Sequence, residues 1–156
     1  MTVSPTKAVP TQKQAMSCAM SHVLGNTCRL AMTTLNYHWN VRGPQFYPMH
    51  KLFEHQYREM WEALDPIAER IRALGSFAIA DHTDNVVVPV VAAPEDMPDA
   101  DGMMANLVAG HESMQVALRS ALDIAHDQED EATVTLLGER AVAHGTHAWM
   151  IRSSIA

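Results

Sequence analysis

No acidic residue occurs before Glu54. Lys7, Lys13, Arg29, Arg42 and Lys51 stand in that acid-free stretch, so a formal +5 leads a body of −12, and the chain as a whole carries −7. A net negative protein does not present a generally basic surface to nucleic acid; only the basic leading end keeps DNA contact open. Aromatic residues are scarce at 6%, whereas Met is plentiful at 11. Sandwiches and barrels draw on aromatic and β-branched residues for their strands, so this mixture points to helices. The two cysteines, Cys18 and Cys28, form no C-x-x-C pair. That excludes a disulfide framework and fits reduced thiols in a cytoplasmic protein. No apolar run approaches the ~18 residues of a membrane span. The leading segment MTVSPTKAVPTQKQ lacks the apolar core of a signal peptide. P-loop and dinucleotide fingerprints are absent as well.

What is present is helical periodicity. Residues 1–10, with two prolines and no pattern, read as a tail, and residues 11–156 as one domain. A first helix is expected over Thr11–Val41, where Met16, Met20, Leu24, Ala31 and Leu35 recur at helical spacing and His38 falls on the same stripe. Gly43-Pro44 ends it. A second helix is expected over Pro48–Leu74, stopped by Gly75. On it Phe53, Tyr57, Met60, Leu64, Ile67, Ile71 and Leu74 form a core stripe, and Pro66 is expected to kink it. Residues 76–99 form a long connection with an apolar run, VVVPVVAAP, and room for one short helix; Pro89 argues against a central strand there. Third and fourth helices are expected over Gly102–His126 and Glu131–Ser153. The expected architecture is all-α: a four-helix bundle with one long crossover between its second and third helices.

A second stripe lies beside the core stripe of the second helix. With His50 at zero and ~100° per residue, Glu54 falls near 40°, Asp65 near 60° and Glu69 near 100°. Trp61 and Ala68 share that side, which suggests a packed protein contact. Imidazole and carboxylate ligands suit iron, zinc or manganese. Asp65, however, lies ~22 Å along the helix from His50, so one metal ion does not reach both within one chain. If two copies of the helix pack antiparallel about a two-fold axis, His50 of one meets Asp65 and Glu69 of the other, and two such sites form. The Arg42-Gly43-Pro44 turn brings His38 back towards His50. A carboxylate row is more often a solvated face, and His144 and His147, three apart, read as a wet helix face. His55, His82, His111 and His126 have no matched partner. The chain has no Glu-x-x-His, so the di-iron site that ferritin-like bundles build inside one bundle is not expected.

The segment HWNVRGPQFYPMHKLFEHQYREMWEALDPIAERIRALG, residues 38–75, resembles the Dps mini-ferritins (DNA-binding proteins from starved cells). His38, His50 twelve residues on, Glu54 four further, and the D-x-x-x-E at Asp65 and Glu69 match that family's ferroxidase signature. EDEATVTLLGER and HAWMIRS echo further stretches of it. The resemblance implies a ferritin-like dodecameric cage with inter-subunit sites on its two-folds. There His38 and His50 of one subunit would face Asp65 and Glu69 of another, with Glu54 near a second iron position and Trp39 beside the site. It implies oxidation of Fe(II), by hydrogen peroxide in preference to dioxygen, with storage of the ferric product and zinc as a competitor. Acidic pores are implied too, with Asp127, Asp130 and Glu131 as candidates. The departure concerns DNA: the tail offers only Lys7 and Lys13. The alternative reading is a nucleoid-associated, DNA-compacting protein with little ferroxidase activity.

Overall fold

Four long helices account for nearly all of the described chain. The computed structural model describes residues 11–80 and 94–155. The expected tail at 1–10, most of the run VVVPVVAAP, and His82 lie outside the described residues.

Helix α1 spans Gln12–Asn40 and starts with a capping box: the Thr11 side chain accepts from the Gln14 amide, and the Gln14 side chain accepts from the Thr11 amide. Helix α2 spans Phe46–Ala73. It begins two residues before the expected Pro48. That residue falls in the first turn, where backbone N–H groups have no intrahelical partner, so a proline forfeits nothing. Pro66 lies inside α2 without dividing it into two elements. Gly75 ends α2 with φ +91°, and the amide of Ser76 reaches back 3.2 Å to the Ile71 carbonyl. A short 3₁₀ turn, Pro94–Asp96, precedes α3, Ala100–Asp127, which Asp99 caps through the Gly102 amide. Helix α4 spans Glu131–Ile155.

Helix α1 packs on α2 and α3, while α4 packs on α3 and, less extensively, on α2. This is the expected four-helix bundle with its crossover between α2 and α3. Methionine fills much of the interior: Met16, Met20, Met49, Met60, Met103, Met104 and Met114 are all buried. Unbranched and flexible, Met fills irregular gaps that scarce aromatics leave. Phe53, Met60, Ile67 and Ile71 of the expected α2 stripe are buried, and Tyr57, Leu64 and Leu74 are half-buried. Both cysteines are free. Among the described residues no helix is long and apolar enough to cross a membrane.

The α3–α4 junction repeats the logic of the α2 terminus with a different residue. Glu129 stands at φ 54°, where glycine is usual, and the Asp130 amide bonds to the Ala125 carbonyl at 3.0 Å. Asp130 then caps α4 through the Thr133 amide at 3.1 Å, and Arg70 near the end of α2 clamps both Asp130 oxygens at 2.7 Å. Burial works to raise the Asp130 carboxyl, but the bonds from Arg70 and Thr133 outweigh it and hold it below the usual range. Asp130 is thus committed to the fold of its own chain. Asp130→Ala removes a cap and leaves Arg70 with the Thr133 hydroxyl but no anion. The expected result is a loss of about 1–2 kcal/mol, read as a lower urea midpoint than wild type at equal protein concentration.

Candidate metal centre

The α1–α2 hairpin turns through Val41–Gln45, with Gly43 at φ +119°, a conformation that favours glycine. The turn lays the His38 and His50 rings face to face, centroids 3.8 Å apart and 20° from parallel. Each ring bonds to the other residue's backbone: His38 Nδ1 lies 2.8 Å from the His50 carbonyl, and His50 Nδ1 lies 2.8 Å from the His38 carbonyl. A carbonyl only accepts, so both Nδ1 atoms must carry the hydrogen. In the neutral rings the Nε2 atoms are therefore the bare, ligand-competent nitrogens. The His38 carbonyl sits in the last turn of α1, where it has no intrahelical partner, so the same bond completes the helix terminus. Such a bond from the far ring nitrogen fixes tautomer and orientation in metal-binding histidines. Tyr57 packs against the His38 ring at 5.3 Å, and Phe46 against His50 at 5.1 Å.

Glu54 lies one turn beyond His50 and accepts from Lys51 at 2.8 Å and from Arg58 at 3.1 and 3.2 Å. The Lys51 bond, with Arg58 behind it, holds the Glu54 carboxyl below its ordinary range. It is ionised, but it is shared with two exposed cations that a metal ion would have to displace. Asp65 and Glu69 are exposed on α2 and make no hydrogen bond or ion pair among the described residues. Trp39 and Trp61 are 62% and 53% exposed near the two ends of this array, a large apolar area for a surface that none of the described residues covers. Among the described residues no three metal-ligating side chains converge. One chain thus brings His38 and His50 together and leaves Asp65 and Glu69 some four turns away. A single ion held by both pairs would therefore need ligands from a second chain.

A second polar cluster, not expected from the sequence, lies inside the bundle, and His111, His144 and His147 belong to it. His144 and His147 are not on a wet face: they are 0% and 2% exposed, and His111, also 0% exposed, does have a partner. His111 Nδ1 and His144 Nδ1 lie 2.9 Å apart. Arg140 bonds both oxygens of Glu59, one of them at 2.9 Å, and His147 Nε2 lies 3.0 Å from the same carboxylate. Gln56 donates to the His147 carbonyl at 3.2 Å. A signal was present in the sequence. Leu137, Arg140, His144, His147 and Ile151 follow the 3–4–3–4 spacing of one buried helix face, and that periodicity outranks the polarity of its members.

The chain resembles known proteins along most of its length. A family model described as a ferritin-like domain matches residues 18–156. A low temperature-induced protein of Nostoc is 36% identical over 92% of this chain and 82% of its own length. A Bacillus anthracis protein named DNA protection during starvation protein 2 is 35% identical over 76% of this chain and 81% of its own. The crystal structure of a Vibrio cholerae Dps protein, described as one of the ferritin-like diiron-carboxylate proteins, superposes with a TM-score of 0.84 at 25% identity, covering 98% of this chain and all of that one. With this bundle, this histidine hairpin and these relatives, the chain belongs to the Dps family of ferritin-like proteins.

Proposed function

We propose that the protein is a ferroxidase and iron store whose sites form between chains. The observation that carries this reading is the His38–His50 lock: two imidazoles whose Nδ1–H groups are tied to backbone carbonyls, so that Nε2 is the ligand nitrogen of each ring, at one end of a helix whose other end bears two carboxylates without a partner among the described residues. In an antiparallel two-fold pair of α2 helices, His38 and His50 of one chain meet Asp65 and Glu69 of the next, with Glu54 beside them for a second iron. Neutral imidazoles keep the ligand charge low enough for Fe(II) to enter and leave, while carboxylates favour the harder Fe(III). Two Fe(II) ions surrender two electrons. With two protons these break the O–O bond of one hydrogen peroxide and yield two waters. The ferric product moves to the interior of a dodecameric cage. Zinc, which favours the same donors, would compete for the site. The diiron-carboxylate description of the Vibrio relative supports the metal chemistry. In this reading the protein works in the cytoplasm.

The test is anaerobic loading with Fe(II), then stoichiometric peroxide, comparing wild type with His50→Ala/Asp65→Asn after sizing both. Losing a supporting contact alone costs metal sites 10–100-fold, so removing two ligands is expected to slow oxidation by at least about 100-fold in an intact assembly. Equal rates would reduce the stripe to a packing surface.

A second reading, DNA binding, draws on the acid-free first 53 residues and on the name of the Bacillus anthracis relative. Retardation of duplex DNA that vanishes steeply with salt would support it.

A further inference from the structure

The proposed iron chemistry makes no use of His111 and His144, although both rings are completely buried at the α3–α4 contact. Their Nδ1 atoms, 2.9 Å apart, join through one hydrogen. One ring donates and the other accepts, so the accepting ring carries its own hydrogen on Nε2. Neither Nε2 has a hydrogen-bond partner among the described residues. The bond therefore admits a narrow set of protonation states. The neutral pair makes it. A singly charged pair still makes it, but puts an imidazolium in a site without solvent. A doubly charged pair sets two N–H groups against each other and loses it.

We propose that His111 and His144 form a proton-sharing latch that fastens α3 to α4 in the neutral pair and releases as acid charges it. The surrounding groups set the direction. Arg140, on α4, is a fixed cation near both rings, and His147, also on α4, adds positive charge when protonated. Among the described residues Glu59, on α2, is the one anion acting on the pair, but it is already bonded to Arg140 and His147. Among the described residues no free carboxylate acts on the rings to accept an added charge. Burial first, then Arg140 and His147, pushes the His144 ring down to about 3, and burial, then His144 and His147, holds His111 well below its ordinary value.

The sign follows from linkage. An opened pair takes up protons near pH 6.5, whereas the closed pair takes them up only far below. Closure is therefore fully favoured above about pH 6.5 and is lost progressively as pH falls towards 3. With two sites titrating, the opening constant rises by at most ~100-fold per pH unit.

Hydrogen exchange of the full-length protein, followed by mass spectrometry at pH 7.5 and 5.0 and corrected for the intrinsic pH dependence, tests this. Peptides spanning 103–118 and 140–151 are expected to lose protection by ten- to about a thousandfold at the lower pH, more than peptides from the α1–α2 hairpin. His111→Leu/His144→Leu is expected to abolish that pH dependence. Should it not fold, His144→Gln, which keeps a hydrogen-bonding group but cannot charge, is expected to weaken it. Unchanged protection of wild type between the two pH values overturns the proposal whatever the variants do, and so does an equal loss in a folded variant.

Discussion

Mixing two inactive variants is expected to restore oxidation. One variant carries His38→Ala and His50→Ala, the other Asp65→Asn and Glu69→Gln. Each alone lacks one half of every proposed site. The spacing supplies the reason for expecting rescue: His50 and Asp65 are fifteen residues apart on one continuous helix, and no three ligands converge within the chain. In a two-fold pair made of one chain of each kind, one site receives intact histidines from one chain and intact carboxylates from the other, while the second site receives neither. Random co-assembly makes about half of the pairs mixed, so about a quarter of the wild-type number of sites should return. Peroxide-driven Fe(II) oxidation, measured after the two variants are unfolded together and reassembled, reads this directly. Recovery near a quarter requires ligands from two chains. No recovery in a correctly sized assembly would mean that each site does not combine histidines from one chain with carboxylates from another, and would overturn the inter-chain reading.

Much of this was legible in the sequence because helices are periodic. The core stripe of α2, the glycine stop at Gly75 and the hairpin return at Gly43 each rest on local rules that packing reinforces. The His38–His50 pairing could be expected from the turn. Its lock could not, because the bonds run from ring nitrogens to carbonyls twelve residues away, and no side-chain pattern records a backbone acceptor. The early start of α2 escaped because Pro48 reads as a beginning although its conformation suits any position in the first turn. The interior cluster escaped for a different reason. His111, Glu59 and Arg140 lie on three different helices, and the polarity of His144 and His147 argued for solvent. Only assembly of the bundle shows that each one satisfies another.

That mutual dependence makes Glu59→Ala the most damaging single change expected for stability. Burial alone would raise the Glu59 carboxyl. The bonds from Arg140 and His147 overcome it and keep the group ionised far below the usual carboxylate range. Removing the carboxylate strands the Arg140 guanidinium, whose side chain is only 8% exposed, and deprives the His147 N–H of its acceptor. Breaking a buried pair from one side costs about 3–5 kcal/mol. The partial exposure of Glu59 places the expected loss near the lower end. Arg140→Met should cost less, because Glu59 keeps both His147 and its route to water. Glu59→Leu/Arg140→Met should recover much of the loss, since an apolar pair of similar volume leaves no charge unpaired. The pH dependence separates a charge effect from a packing effect. A depressed carboxyl contributes stability that is complete above its unfolded value of about 4.3 and is lost as pH falls below it. The gap between wild type and the double variant should therefore narrow from pH 6 to pH 3. Urea midpoints of the four proteins at those two pH values decide the matter: a single Glu59 variant no worse than the double one, or a gap that does not move with pH, would show that the pair contributes shape and not charge.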